Sequence, residues 1–233
     1  MYYDLNYLFK DKGSEHTWIF LPGWAMDSRI FNTFDCGHNM LLINQLDPIN
    51  YVTQLEDLLD SMSLNSFSLF GYSLGGFQAA HFLNSTTKKA TRLVLCGVQK
   101  QYSNEAIAPL MQQLETDKET TLKGFYSYCF NTADDYKLFS EQFETALISL
   151  FDAPYLQGHL KTLVEVPITS LPSETIFIHG AKDGVAPISS TKRLSKRLNR
   201  PLEIIDDCGH FLFFKQRMCR RVEQLLQQPD TVG

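Results

Sequence analysis

The sequence lacks the features of several protein classes. Its 233 residues contain no apolar run long enough to cross a bilayer, and the five cysteines include no C-x-x-C pair. Lysine and arginine total 21 against 26 acidic residues, so the net charge of −5 offers no basic field for nucleic acid. The first residues show no basic segment followed by an apolar one. We therefore expect a cytoplasmic protein with reduced thiols, no export signal, no membrane span and no nucleic-acid partner.

Cofactor motifs are also missing. The chain has no H-E-x-x-H sequence and no spaced group of cysteine and histidine, so we expect no metal site. Gly75 and Gly76 lack the G-x-G-x-x-G spacing of a dinucleotide-binding loop. The chain does have 44% hydrophobic and 12% aromatic residues, which is enough for a packed core. We expect a globular protein whose chemistry needs no cofactor.

Strand and helix patterns alternate near both ends of the chain. The turn at 11–14 predicts a hairpin between a strand at 2–9 and a strand at 17–21. Because parallel strands need crossover helices, the alternation predicts an α/β fold with a mainly parallel, doubly wound sheet. The further predicted strands are 41–46, 66–70, 92–96, 175–179 and 202–205, and the predicted helices are 51–62, 74–83, 189–198 and 214–227.

The alternation stops between residues 100 and 172. This segment is too long for an ordinary connection, and its apolar residues recur at helical spacing. It predicts an inserted helical cap, which leaves 1–99 and 173–233 as the core domain. The segment has five lysines and ten acidic residues, so it accounts for the whole net charge of −5.

One sequence motif carries a specific chemical prediction. Residues 71–76, Gly-Tyr-Ser-Leu-Gly-Gly, follow a predicted strand and open a predicted helix, which is the setting of a G-x-S-x-G nucleophile elbow. Gly71 and Gly75 would allow the close backbone approach that so sharp a turn requires. Ser73 is therefore the candidate nucleophile. An ordinary glycine-rich turn with a capping serine is the alternative interpretation.

A serine nucleophile needs a base, and the base needs an orienting acid. Asp183 and His210 each follow a predicted strand, and the order Ser73, Asp183, His210 is that of the α/β-hydrolase arrangement. Asp183 could instead simply form a turn before a glycine. The other histidines are interpreted as packing or surface residues; they are His16, His38, His81, His159 and His179.

An oxyanion also needs two N–H donors. The backbone N–H of Leu74, at the start of the predicted helix, is one candidate. Trp24, which follows the strand-ending Pro22-Gly23, is the other. The Trp24 indole could also form an apolar wall for an acyl chain or serve as a buried structural tryptophan.

Taken together, these motifs resemble those of the α/β-hydrolase superfamily along nearly the whole chain. Within it the chain is similar to the biotin-pathway carboxylesterases of the BioH type. The similarity lies in 21–24 (Leu-Pro-Gly-Trp), 71–76, 158–163 (Gly-His-Leu-Lys-Thr-Leu), 180–183 (Gly-Ala-Lys-Asp) and 208–210 (Cys-Gly-His). It implies an α/β-hydrolase fold with a cap, and a serine carboxylesterase that hydrolyses the methyl ester of pimeloyl-acyl-carrier protein.

The resemblance also implies which residues contact the substrate. These are Trp24, Ser73, Leu74 and His210, together with the cap stretch Phe125, Tyr126, Ser127, Tyr128 and Cys129. The aromatic residues predict a preference for medium apolar acyl chains, with packing of the cap as the alternative.

The sequence departs from the BioH-type pattern at Pro22, where that family usually has histidine, and in the acidic charge of the cap. An acidic cap disfavours docking of an acidic carrier there, which leaves Lys118 and Lys123 or the basic residues of 192–200. A solvated helix face is the alternative interpretation of 192–200. Other chemistry on the same triad remains open: a general esterase, a thioesterase or a carbon–carbon bond hydrolase. A binding protein without turnover is the alternative of a different class.

Overall fold

The computed structural model describes residues 3–213 and 216–227. Within this part of the chain, seven strands form one sheet. They are β1 (Asn6–Lys10), β2 (Thr17–Leu21), β3 (Asn39–Gln45), β4 (Phe67–Tyr72), β5 (Leu93–Cys96), β6 (Thr175–Gly180) and β7 (Leu202–Ile205). The order across the sheet is β1-β3-β2-β4-β5-β6-β7, and β1 with β3 is the antiparallel pair. The predicted mainly parallel α/β fold is confirmed.

The α-helices of the described residues connect or follow the strands from β3 onwards, and five of them follow one another between β5 and β6. They are α1 (Tyr51–Ser61), α2 (Leu74–Ser85), α3 (Asn104–Thr116), α4 (Lys118–Tyr128), α5 (Ala133–Phe139), α6 (Thr145–Leu150), α7 (Ala153–Glu165), α8 (Ile188–Leu198) and α9 (Gln216–Gln227). The bounds predicted from 17 to 205 agree with these elements within two residues. Phe214 and Lys215, where the last helix was expected to begin, lie outside the described residues.

The predicted hairpin between the first two strands is wrong. β1 spans Asn6–Lys10 and pairs with β3, not with β2. A strand has two hydrogen-bonding edges, and β2 uses one for β3 and the other for β4: Ile19 lies opposite Leu41 on one side and Leu69 on the other. All five residues of β2 are buried, as expected of a central parallel strand. The turn at 11–14 therefore connects β1 to β2 across β3, which lies between them in the sheet. β1 is the antiparallel edge strand.

Helices α3 to α7 all lie between β5 and β6. Four of them begin at a side chain that accepts a hydrogen bond from the backbone N–H three residues later, which satisfies a donor of the first turn. The capping residues are Ser103, Asp117, Thr132 and Asp152. The segment is helical as expected, while its status as a separate cap domain stays a prediction. No helix among the described residues is both long and apolar enough to span a bilayer.

Candidate active site

The turn between β4 and α2 holds Ser73 in a strained backbone conformation. Its φ is 51° and its ψ is −118°, a combination that costs a non-glycine residue energy. A Cβ on Gly75 would lie 2.2 Å from the Leu21 carbonyl oxygen, and one on Gly71 would lie 2.6 Å from the Gly75 oxygen. Glycine is therefore required at both positions, because the turn packs directly against the backbone. Ser73 N–H donates to the Cys96 carbonyl at 2.8 Å, which ties the turn to β5.

Three side chains from separate loops meet at this turn. Ser73 Oγ lies 2.9 Å from His210 Nε2, and His210 Nδ1 lies 2.8 Å from Asp183 Oδ2. All three residues are buried. The structure thus brings together the three residues that the sequence singled out, at the hydrogen-bonding distances that proton transfer between serine and histidine needs.

Backbone contacts fix the relative positions of the acid and base loops. Lys182 N–H donates to the Cys208 carbonyl at 2.9 Å, and Ala181 N–H donates to that of Ile205 at 2.9 Å. A Cβ on Gly180 would lie 2.1 Å from the Gly209 oxygen. The loop after β6 and the loop after β7 are therefore in direct backbone contact, which leaves little freedom in the separation of Asp183 and His210.

The Asp183 carboxylate is held by donors on both oxygens. Oδ1 accepts from the N–H groups of Val185 at 2.9 Å and Ala186 at 2.8 Å. Burial by itself raises the pKa of Asp183, but attraction to His210 and the hydrogen bonds bring the pKa below its ordinary value. An ionised carboxylate can only accept, so His210 Nδ1–H donates to it. In the neutral imidazole, Nε2 is then the acceptor that faces the Ser73 hydroxyl, as a general base must be.

His179 is a neighbour of the acid that sequence reasoning assigned to packing. It is fully buried, and its Nε2 lies 2.6 Å from the Ala186 oxygen and 3.2 Å from Asp183 Oδ2. Burial lowers the pKa of His179. Its position at the end of β6, four residues before Asp183, was the signal available in the sequence.

Within 3–213 and 216–227, no residue accepts a hydrogen bond from the backbone N–H of Trp24 or from that of Leu74. Trp24 lies in a turn closed by the Met26 N–H to Gly23 oxygen bond of 3.1 Å, with Ala25 at a φ of 57°. The turn is fixed from outside, because the Trp24 indole donates to the Leu156 carbonyl at 2.9 Å and Tyr126 Oη donates to that of Ala25 at 2.6 Å. The roles of the Trp24 and Leu74 N–H groups as oxyanion donors stay a prediction.

A cavity of about 700 Å³ opens beside Ser73. It is bounded by Trp24, by the loop after Asp183 and by helices α3, α4 and α7. None of the described residues that line it carries a charge. Most of the lining is apolar, including Ile107, Leu110, Leu160 and Leu163, and the polar groups are hydroxyls and the amides of Gln99 and Gln113. The space fits an uncharged, largely apolar substrate chain.

The stretch 125–129 contributes less to this cavity than expected. Phe125 and Tyr128 line it, whereas Tyr126, Ser127 and Cys129 do not. Tyr126 and Cys129 are buried away from it and Ser127 is exposed, because consecutive residues of α4 point in different directions around the helix. Of the five residues expected to contact substrate, Phe125 and Tyr128 are thus the two that line the cavity, and substrate contact stays a prediction. Leu74 and His210 adjoin Ser73 without lining the cavity.

Comparison with known sequences gives two similar hydrolases. No family model matches the chain. The 2-hydroxy-6-oxo-2,4-heptadienoate hydrolase of Pseudomonas putida is 25% identical over 196 residues, which cover 78% of this chain and 71% of that protein. The 2-hydroxymuconate semialdehyde hydrolase of Pseudomonas putida is 26% identical and covers 75% and 67%.

Comparison with solved structures identifies the fold. An esterase from Exiguobacterium antarcticum superposes with a TM-score of 0.81 at 18% identity, over 96% of both chains. A bromoperoxidase from Bacillus anthracis gives 0.81 at 17%, over 96% and 95%. An α/β hydrolase from a Medee basin deep-sea metagenome gives 0.76 at 18%, over 96% and 92%. The chain has the α/β-hydrolase fold, as the resemblance implied, and its sequence relatives are hydrolases.

Proposed function

We propose that this protein is a serine hydrolase of carboxylic esters. The observation that carries the proposal is the buried chain of hydrogen bonds from Ser73 through His210 to Asp183, at 2.9 and 2.8 Å. A serine hydroxyl is a weak nucleophile, and a neutral imidazole at this distance can take its proton as the oxygen attacks a carbonyl carbon. The ionised Asp183 stabilises the imidazolium that forms.

The remaining steps use the same groups. The tetrahedral oxyanion is held by the Leu74 and Trp24 N–H groups, whose positions are set before the substrate binds. As the intermediate collapses, the bond to the alcohol oxygen breaks and His210 returns the proton to that oxygen. Water then attacks the acyl-Ser73 carbonyl with His210 again as base, and the acid is released with Ser73 regenerated.

The uncharged cavity supports an acyl ester with a medium apolar chain. The resemblance to BioH-type enzymes narrows this to the methyl ester of pimeloyl-acyl-carrier protein in biotin synthesis, which we propose as the natural substrate. Rescue of growth without biotin, in cells lacking that esterase, tests the pathway. Wild type should rescue and Ser73→Ala should not; failure of both would reject the biotin role alone.

Carbon–carbon bond hydrolysis is the second candidate, because the two sequence relatives have names of that kind. The triad and the uncharged cavity do not by themselves separate the two reactions, since both can use the same catalytic groups. We rank ester hydrolysis first because the motifs of the sequence resemble those of BioH-type carboxylesterases. Turnover of a dienoate substrate faster than that of any alkyl ester would reverse the order.

The Ser73→Ala variant tests the reaction. We expect kcat on p-nitrophenyl esters to fall by about 10⁴-fold or more, because the alcohol nucleophile is lost. Ser85→Ala, at the exposed far end of the same helix, is the matched control and should retain wild-type activity. A fluorophosphonate probe should label wild type and Ser85→Ala but not Ser73→Ala. Equal turnover by all three proteins would reject the assignment.

A further inference from the structure

A second, smaller cavity adjoins the one beside Ser73. It has a volume of about 210 Å³, and Gln99 lines both. Three of its residues are cationic: Lys100 just after β5, and Arg193 and Arg197 one turn apart on α8. We call this the basic cleft, and its lining is Gln99, Lys100, Ser190, Arg193, Leu194 and Arg197. No acidic residue belongs to that set.

The cations of the basic cleft are not neutralised. Arg193 Nη2 donates to Ser190 Oγ at 3.1 Å and Arg197 Nη2 donates to the Ile168 carbonyl at 2.8 Å, both neutral acceptors. Among the described residues, Lys100, Arg193 and Arg197 form no ion pair.

Cations elsewhere do pair with carboxylates, such as Lys12, Lys88 and Arg221. Three unpaired positive charges thus line one cleft of a protein whose net charge is −5. Such a cleft attracts anions.

The basic cleft also lies close to the reacting atoms. Gly97 packs against the imidazole, since a Cβ at Gly97 would lie 3.2 Å from His210 Cε1. Lys100 is three residues further along, so its Cα is within about 11 Å of that of Gly97. A substrate of moderate length can therefore reach from the Ser73 hydroxyl to the cleft through the region of Gln99.

We propose that the basic cleft binds an anionic group of the substrate, a phosphate or a carboxylate, while the uncharged cavity holds the chain between that group and the ester. This proposal rests on the proposed ester hydrolysis and specifies its substrate class. The anionic group belongs in the basic cleft and not in the uncharged cavity, because there it would lose its hydration without gaining a cationic partner. Guanidinium groups suit both anions, since their paired N–H donors match two oxygens at once.

The test compares esters that differ only at the far end. Methyl heptanoate and monomethyl pimelate form the carboxylate pair, and hexyl acetate and 6-phosphohexyl acetate form the phosphate pair. In wild type we expect kcat/KM to favour the anionic member, through KM, and the preference to shrink as salt is added. In Lys100→Gln/Arg193→Gln the ratio of anionic to neutral kcat/KM should fall about 3- to 10-fold. A fall in the first pair identifies a carboxylate on the acyl side of the ester, and a fall in the second identifies a phosphate on the alcohol side.

The control variant removes two lysine charges from α8, the helix that carries Arg193, at positions that do not line the basic cleft. Lys192→Gln/Lys196→Gln has the same net charge as the test variant, and it should keep the wild-type ratio. An equal fall in both variants would assign the preference to the overall field and overturn the proposal, as would no anionic preference in wild type.

Binding of hexyl phosphate separates this proposal from the proposed function. The compound contains no carboxylic ester, so calorimetry on the wild-type protein reports the cleft without turnover. Binding weakened in Lys100→Gln/Arg193→Gln but not in Lys192→Gln/Lys196→Gln would support the site even if no ester were cleaved. Ester cleavage with no difference in binding among the three proteins would leave the hydrolase and reject the cleft.

Discussion

The carboxyl edge of the sheet and the helical segment 100–172 differ in how closely backbone packs against backbone. At the edge, backbone packs on backbone: an added Cβ at Gly75 or Gly180 would lie 2.2 or 2.1 Å from a carbonyl oxygen. In the helical segment, a Cβ at Gly124 of α4 would meet nothing within 4 Å, and one at Gly158 of α7 would meet a side chain, that of Pro48 at 2.8 Å, and no backbone. The difference follows from the roles that we propose for the two regions, catalysis at the edge and substrate binding at the helices. Proton transfer needs atoms fixed within tenths of an ångström, whereas substrate binding needs space that side chains leave open.

The largest expected effect comes from making the same substitution in both regions. Gly75→Ala should lower the free energy of unfolding by at least about 3 kcal/mol, because backbone must move to relieve the overlap with Leu21. Gly124→Ala should raise it by up to about 1 kcal/mol, because alanine favours the helix and meets no neighbour. Denaturant unfolding of both variants measures the contrast. Similar effects at the two sites would show that the edge is no more rigid than the helices.

His159 links the two regions and should make their contact sensitive to acid. It lies on α7, donates from Nε2 to the Leu46 carbonyl at 3.1 Å and accepts at Nδ1 from Gln78 at 3.2 Å. Burial lowers the pKa of His159 to about 4 from an ordinary 6.5. The unfolded chain therefore takes up this proton first, so stability present above pH 6.5 is lost as the pH falls towards 4, by roughly 3 kcal/mol.

Unfolding measured at pH 7 and pH 4.5 in wild type and His159→Gln tests this link. Glutamine retains an amide donor and acceptor but does not titrate, so the variant should lose less stability between the two pH values than wild type. An identical loss in both proteins would mean that other groups govern the acid response.

The smallest effect should be a change in selectivity. Phe125 lines the cavity and its ring lies 4.7 Å from that of Trp24. Phe125→Ala should enlarge the cavity and shift preference towards longer or bulkier acyl chains by a few fold, about 1 kcal/mol in relative kcat/KM. Phe143→Ala removes another half-buried ring of the helical segment that does not line the cavity. A series of p-nitrophenyl esters should show the shift in the first variant alone.

The helical segment also shows where sequence patterns fall short. The helical spacing of apolar residues predicted helices there, but the choice of which residues face the substrate depends on how the helices pack on the sheet. For that reason Phe125 and Tyr128 line the cavity while Tyr126 and Cys129 are buried elsewhere. His179 was assigned to packing for the same reason: its distance to Asp183 depends on the course of the loop between them.

The hairpin error has a similar origin. Two strands joined by a short turn pair only if an edge is free, and the edges of β2 are taken by β3 and β4, which come later in the chain. Turn chemistry is local, but competition for an edge involves the whole sheet.

By itself, the sequence determined the alternation of strands and helices and the elbow at Ser73, because these depend on nearest neighbours and on glycine spacing. It also indicated that Asp183 and His210 follow strands, which places them at the same edge of a parallel sheet. Only the tertiary structure decided the 2.9 and 2.8 Å contacts, the lining of the uncharged cavity and the meeting of Lys100 with Arg193 in the basic cleft. Those features join residues far apart in the chain, and their distances are set by packing.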